Sequence, residues 1–446
     1  MARFLLASTP VPGHVLPMAG LAHRLVERGH EVRWYTGAAF ADHVARTGAR
    51  HCPVTHARDW SLRDMNDAVP GLRAKKGLAQ VRLAFERVFI DAAPGALADL
   101  ERLLADEPAD LVVADPLVMA VPWLHERGGP VYANLGTTML GLYSTDTAPF
   151  GPALAPRSSP VGRLRNRAMN AVHRRAVFAP VNRHLDDVRS QQGLVPQGRA
   201  VIDTFLSPFL YLQDTVEAFE YPRSDLPPQV HFVGPLLPAP PDDFGPPPWW
   251  DDLSEGRPVV LVTQGTVRNC EATLIAPTIE ALAGEDVLLV VATGGDIAGL
   301  PAKLPGNVRL ERYVPFQPLM PHLSAMVTNG GYGGVQLALS HGVPLVVAGA
   351  TEDKPEVAAR VSWSGTGVRL RGASPTPKRL ARAVGRVLTE PGYRRNARRM
   401  AGEMARHDPA GEAAELLEEL VSRRGPVTEH PGAELGIAPA GPGLRS

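Results

Sequence analysis

At 446 residues the chain exceeds the usual size of one domain, so two domains with sizeable cores are expected. Its composition, 44% hydrophobic and 21% charged, is that of a soluble globular protein. The 46 basic and 46 acidic residues cancel, which argues against nucleic acid or an anionic membrane surface as the main partner.

Arg3 to Ser8 reads as a buried strand, and Thr9 to His14 as a turn. The apolar run stops at Pro10, too short for a secretory signal. Nothing approaches the ~18 apolar residues of a membrane span, so no integral membrane segment and a cytoplasmic protein are expected. Val15 to Arg28 has the pattern of an amphipathic helix ended by Gly29, and Glu31 to Thr36 that of a second strand. A helix from Phe40, a strand near Arg50 to Val54 and a long helical region from Leu78 to Leu104 follow. Asp110 to Asp115 and Pro130 to Gly136 are further strands. Residues 158–192 are Arg-rich and helical, and are expected to cover the acceptor side of this lobe. Repeated strand–helix units imply a parallel sheet covered on both faces.

Between residues 236 and 256, Pro and Gly are too dense for a sheet or a helix, which marks an interdomain linker. Trp249-Trp250 is expected to pack on the second lobe. The alternation then restarts, with strands at Val259 to Thr263, Val287 to Ala292, Val308 to Tyr313, Ala325 to Thr328 and Leu345 to Ala348. The expected organisation is an acceptor-binding lobe over 1–235, the linker, a second lobe over 257–424, and a disordered tail over 425–446. Cys52 and Cys270 make neither a metal spacing nor a disulfide framework. The fold class is α/β: two doubly wound lobes, with ligands bound beyond the carboxyl ends of the strands.

The most informative stretch is Met326 to Val361. A short strand leads into Asn329-Gly330-Gly331-Tyr332-Gly333-Gly334, too rich in glycine for a regular element, and a helix is expected from Val335 to His341. Such a loop lets backbone N–H groups approach an anion, and the helix behind it aims its positive end there. A diphosphate suits that place. Tyr313 to His322 (YVPFQPLMPH), Thr328 to Gly331, Gly342-Val343-Pro344 and Asp353-Lys354 together resemble the nucleotide-sugar signature of family-one glycosyltransferases. These are inverting enzymes of natural-product glycosylation. Two positions depart from the pattern: Asn329 stands where His is usual, and Lys354 where Gln is frequent.

The resemblance implies the GT-B arrangement of two Rossmann-like lobes and a UDP- or dTDP-sugar donor. It also implies a small, largely apolar acceptor. No cofactor is called for, because the nucleotide sugar is a co-substrate. A monomer or homodimer is expected. His14 follows the first strand, and Pro12 to Pro17 matches the family segment whose His is the general base. Asp115 ends its strand, as the family's partnering Asp does after a similar DLVVAD run, yet a helix N-cap before Pro116 suits Asp equally well. On the donor side, Thr263, Gln264, Gly265 and Thr266 close a strand and are expected near the diphosphate or ribose. Tyr313, Val314 and Gln317 match the base-binding positions. Asn329, Gly330, Gly331, Gly333 and Gly334 are expected around the diphosphate, with Asp353 on the sugar hydroxyls. Gln336 is offset by one from the usual ribose ligand. Lys354 is either a donor contact or a surface partner of Glu352 or Glu356. Metal spacing is absent from the sequence, so the helix dipole would meet the diphosphate charge. Alternatives are a nucleotide-sugar 2-epimerase and a silent nucleotide-sugar-binding helper.

Overall fold

The computed structural model of the protein describes residues 1–62, 68–238, 244–265, 272–295 and 298–429. Two parallel sheets organise them. The first holds β1 (Arg3–Ala7), β2 (Glu31–Thr36), β3 (Arg50–Pro53), β4 (Leu111–Ala114), β5 (Tyr132–Gly136), β6 (Leu210–Gln213) and β7 (Val230–Phe232). Their spatial order is β3-β2-β1-β4-β5-β6-β7. The second sheet, ordered β10-β9-β8-β11-β12-β13, holds β8 (Val259–Thr263), β9 (Leu288–Ala292), β10 (Val308–Glu311), β11 (Ala325–Thr328), β12 (Leu345–Val347) and β13 (Gly367–Arg369). The inner strands are runs of Val, Leu and Ala, with Met326 and the terminal Thr263 and Thr328, buried at every position, as strands covered on both faces must be.

Strand order reverses between β1 and β4, and again between β8 and β11. Chain connections diverge at these two points and leave a crevice beyond the strand ends. Register fixes what meets there. Ala7 pairs with Ala114, so the residues after β1 and β4 are neighbours. Thr263 pairs with Thr328, so those after β8 and β11 are neighbours too.

Several elements differ from the sequence reading. The long helical region expected from Leu78 to Leu104 is divided into Gly77–Ala84, a π-helical turn Phe85–Ile90, and a new helix Ala93–Asp106. Pro94 accounts for the restart, since proline is tolerated only in a helix's first turn. Strands β6, β7 and β13, of four, three and three residues, carry too little pattern to be read. The last helix, Pro409–Arg423, was expected to close the second lobe. Instead its Leu416, Leu417 and Leu420 pack with Phe4, Leu21 and Leu25 of the first. An ion pair from Arg28 and a hydrogen bond from His30 to Glu418, each 2.7 Å, seal that contact. Residues 425–429, expected as part of a disordered tail, continue it: Val427 is buried and bonds to Phe209 and His231. The rest of that tail, from residue 430, lies outside the described residues, as do 239–243 of the expected linker. Trp249 and Trp250 pack on the second lobe as anticipated, with the Trp249 indole donating to Glu311 at 2.7 Å.

A buried ionic cluster joins the lobes. Arg360, on the helix Lys354–Trp363, is 2% exposed and donates through Nε to Glu220 at 2.9 Å. It also reaches the Leu140 carbonyl and lies over the Tyr221 ring, 4.3 Å from its centroid. Glu356, 3.6 Å from the same guanidinium, accepts the N–H groups of Gly151 and Ala153 at 2.8 Å each. Arg360→Ala should therefore destabilise the protein by about 3–5 kcal/mol in urea denaturation, because buried Glu220 loses its hydrogen-bonded cation and keeps only Arg223, 4.0 Å away. A loss below about 1 kcal/mol would mean that water replaces the cation at little cost.

Candidate active site

The first helix runs from Pro12 to Glu27 and begins five residues after Ala7, the last residue of β1. Pro12 opens it, since the missing N–H of proline costs nothing at a helix start. His14 consequently sits in the first helical turn and not in a free loop. Its Nδ1 lies 3.1 Å from Oδ1 of Asp115 and 3.2 Å from Oγ1 of Thr137. Asp115 is fully buried. Its carboxylate also accepts from Thr9 N at 2.5 Å, Thr9 Oγ1 at 3.2 Å and Leu117 N at 2.9 Å. The alternative role as a helix cap is not seen. The following helix begins at Ala120 with Met119 at its cap, and Asp115 only closes a local turn to Leu117.

Burial alone would lower the His14 pKa. The charge of Asp115 and its hydrogen bond oppose this, helped by Asp353 and Glu352 from the second lobe, and the net result is a rise. With Nδ1 turned to the carboxylate, the proton of the neutral ring belongs there and Nε2 is left as the basic nitrogen. Asp353 precedes the helix Lys354–Trp363 and accepts a hydrogen bond from Thr138 of the first lobe. Thus His14, Asp115, Thr137, Thr138 and Asp353 gather at one mouth of the cleft. Thr9, Thr137 and Thr138 were not singled out from the sequence. Gly136 ends β5, so the strand-end rule that selected His14 would have selected the two threonines after it.

The second crevice holds the glycine stretch. The helix starts at Tyr332 with Gly331 at its cap, so Gly333 and Gly334 form its first turn. This is three residues earlier than the sequence suggested. Glycine costs little where N–H groups have no partner anyway, so composition misled there. A Cβ on Gly333 would meet nothing, whereas one on Gly330, at φ +90°, would lie 2.7 Å from Val347. The first position is open to a ligand and the second is a packing glycine. Asn329 ties the two loops together: its Nδ2 donates to the Gln264 carbonyl, and its Oδ1 accepts from Gly331 N at 3.2 Å. Gly265, at φ +82°, leaves room for that amide.

The remaining expected donor residues divide. Thr263 is buried and accepts from Gly265 N at 3.4 Å. The Gln264 side chain accepts from Leu274 N at 3.2 Å. Thr266 lies outside the described residues. Tyr313 is 76% exposed and available for stacking. Val314 is buried in the core, so only its backbone can serve a ligand. Gln317 donates to the Pro238 carbonyl. Lys354 pairs with Glu352, although its side chain is only 12% exposed. Gln336 is buried against the first lobe, where it accepts from Thr215 at 3.0 Å.

A family model described as the C-terminal domain of erythromycin biosynthesis protein CIII-like proteins matches residues 277–420. The chain is 48% identical to the 4'-demethylrebeccamycin synthase of Lentzea aerocolonigenes, over 94% of this chain and all of that protein. It is 33% identical to UDP-glycosyltransferase 2 of Phaeomoniella chlamydospora, over 94% and 95% of the two chains. Among solved structures, the glycotransferase of kitacinnamycin superposes with a TM-score of 0.74 at 25% identity, covering 94% of this chain and 99% of that one.

The His14–Asp115 geometry carries a pH signature. A raised His14 pKa stabilises the fold fully below the ordinary value of about 6.5, and the gain is lost as pH rises through the raised value. The stability difference between the parent and His14→Gln should accordingly be largest in mild acid and shrink toward alkaline pH. In Asp115→Asn the His14 titration, followed by NMR, should move to lower pH. An unmoved midpoint would show that the carboxylate does not set it.

Proposed function

The chain belongs to the glycosyltransferases, the family of the relatives above, and we propose that it is an inverting enzyme of natural-product type. It moves a hexose from a UDP- or dTDP-sugar to a hydroxyl of a small, largely apolar acceptor. The observation that carries this reading is the His14–Asp115 pair, 3.1 Å apart at one switch point, within the electrostatic reach of Asp353 from the other lobe.

On this reading Nε2 takes the acceptor's hydroxyl proton as the oxygen attacks the anomeric carbon. The bond from that carbon to the diphosphate breaks, and the nucleoside diphosphate leaves on the opposite face, so configuration inverts. Asp115 stabilises the imidazolium that forms. The first-turn N–H groups around Gly333, with the dipole of their helix, meet the charge on the leaving diphosphate. Asp353 binds sugar hydroxyls once Thr138 yields its hydrogen bond. The name of the Phaeomoniella chlamydospora relative supports a UDP-sugar, and the relation to a rebeccamycin synthase supports a natural-product acceptor.

His14→Ala should lower turnover on alcohol acceptors by about 100-fold or more while leaving donor affinity nearly unchanged. Turnover near the parental rate would place the base elsewhere. Asp353→Ala should weaken the nucleotide sugar but not the free nucleoside diphosphate, as calorimetry with each ligand would show. Equal losses for both would mean that Asp353 serves the nucleotide or only shapes the loop. Nucleoside diphosphate released only with acceptor present separates transfer from 2-epimerisation and from a silent helper.

A further inference from the structure

The Arg-rich helix Pro160–Val172 is turned inside out. A surface helix ordinarily buries its apolar side. Here the buried side is Gly162, Asn166 and Asn170, continued by His173 in the π-helical turn that follows. Those polar groups are tied to one loop of the first lobe. Asn166 donates to the Thr145 carbonyl at 2.9 Å, Asn170 to the Ser144 carbonyl at 2.7 Å, and His173 pairs with Tyr143 at 2.7 Å. The orientation is thereby fixed, and it points the apolar residues at solvent. Val161 is 79% exposed, Leu164 67% and Val172 58%, with Ala168 exposed between them. Their spacing of three, four and four residues makes one continuous stripe.

The margin of the stripe is cationic. Residues 157 to 183 include seven arginines, and no Asp or Glu occurs from 148 to 185. Arg163 and Arg174 are held by Asp146 and Asp203, whereas Arg167 and Arg175 are exposed along the stripe. The zero net charge of the whole chain conceals this local excess. A second copy seated on the stripe through a two-fold axis would bring arginine against arginine. An anionic bilayer satisfies both features, taking the apolar stripe at its acyl boundary and the guanidinium groups at its phosphates.

We propose that the face Val161, Leu164, Ala168 and Val172, with its arginine margin, docks this enzyme on anionic lipid bilayers. The helix rests on Ser144 and Thr145, in the same connection after β5 that carries Thr137 and Thr138 to the cleft.

Flotation of the full chain with vesicles tests this. Phosphatidylcholine vesicles should retain little protein, and vesicles with about one third phosphatidylglycerol should retain most of it, less as salt is raised. The double variants Leu164→Asp/Val172→Asp and Arg167→Glu/Arg175→Glu should each lower retention by about tenfold or more. Both should keep the parental unfolding curve and parental transfer to a water-soluble acceptor. Absence of flotation on anionic vesicles at low salt overturns the proposal, and so do variants that float like the parent. A parental dimer that Leu164→Asp/Val172→Asp turns into a monomer, without flotation, would assign the stripe to a second copy instead.

Discussion

A guanidinium taken wholly out of water must find its partners in fixed positions, and Arg360 finds them in the other lobe. Glu220 and the Leu140 carbonyl belong to the first half of the chain, and Glu356 holds Gly151 and Ala153 of that half. The cost of separating these groups is what keeps the lobes in one relation. The same helix that carries Arg360 follows Asp353 directly. The ionic cluster therefore also fixes how far Asp353 stands from Thr138 and His14. The distance across the cleft is set by charge burial a helix length away from the cleft itself.

Around that fixed cleft the two crevices differ in electrical character. The first gathers carboxylates about one imidazole, which favours the protonated ring. The second presents the start of a helix and a loop of glycines, which favours an anion. In the proposed reaction a proton moves toward the first as negative charge moves toward the second. Each half of the cleft is thus suited to the charge that would develop on its own side.

Much of this was legible because long-range geometry followed from short-range pattern. Strand runs such as Leu111 to Ala114 and Val259 to Thr263 reveal parallel sheets, and a parallel sheet places its ligands. His14, Asp115 and Asn329 could be singled out because each stands one step past such a run or in the first turn after it. What could not be read depends on packing between distant segments. Nothing near Gln264 announces that its side chain turns toward Leu274, and Val314 looks no different from an exposed valine. Asp115 was open between two roles because the start of the next helix, at Ala120, decides between them. The fate of the last helix was hidden for a similar reason. Its leucines show that it packs, but not upon which sheet.

That last helix makes the chain cross between the lobes a second time. The first crossing falls between Phe232 and Val259, and the return brings Pro409 to Arg423 against the face of Phe4, Leu21 and Leu25. During synthesis the amino-terminal half leaves the ribosome long before the segment that covers this face. That part of its apolar side must wait until residues 409–423 have emerged. The first lobe precedes the second in sequence, yet its packing is completed only after the second has been made.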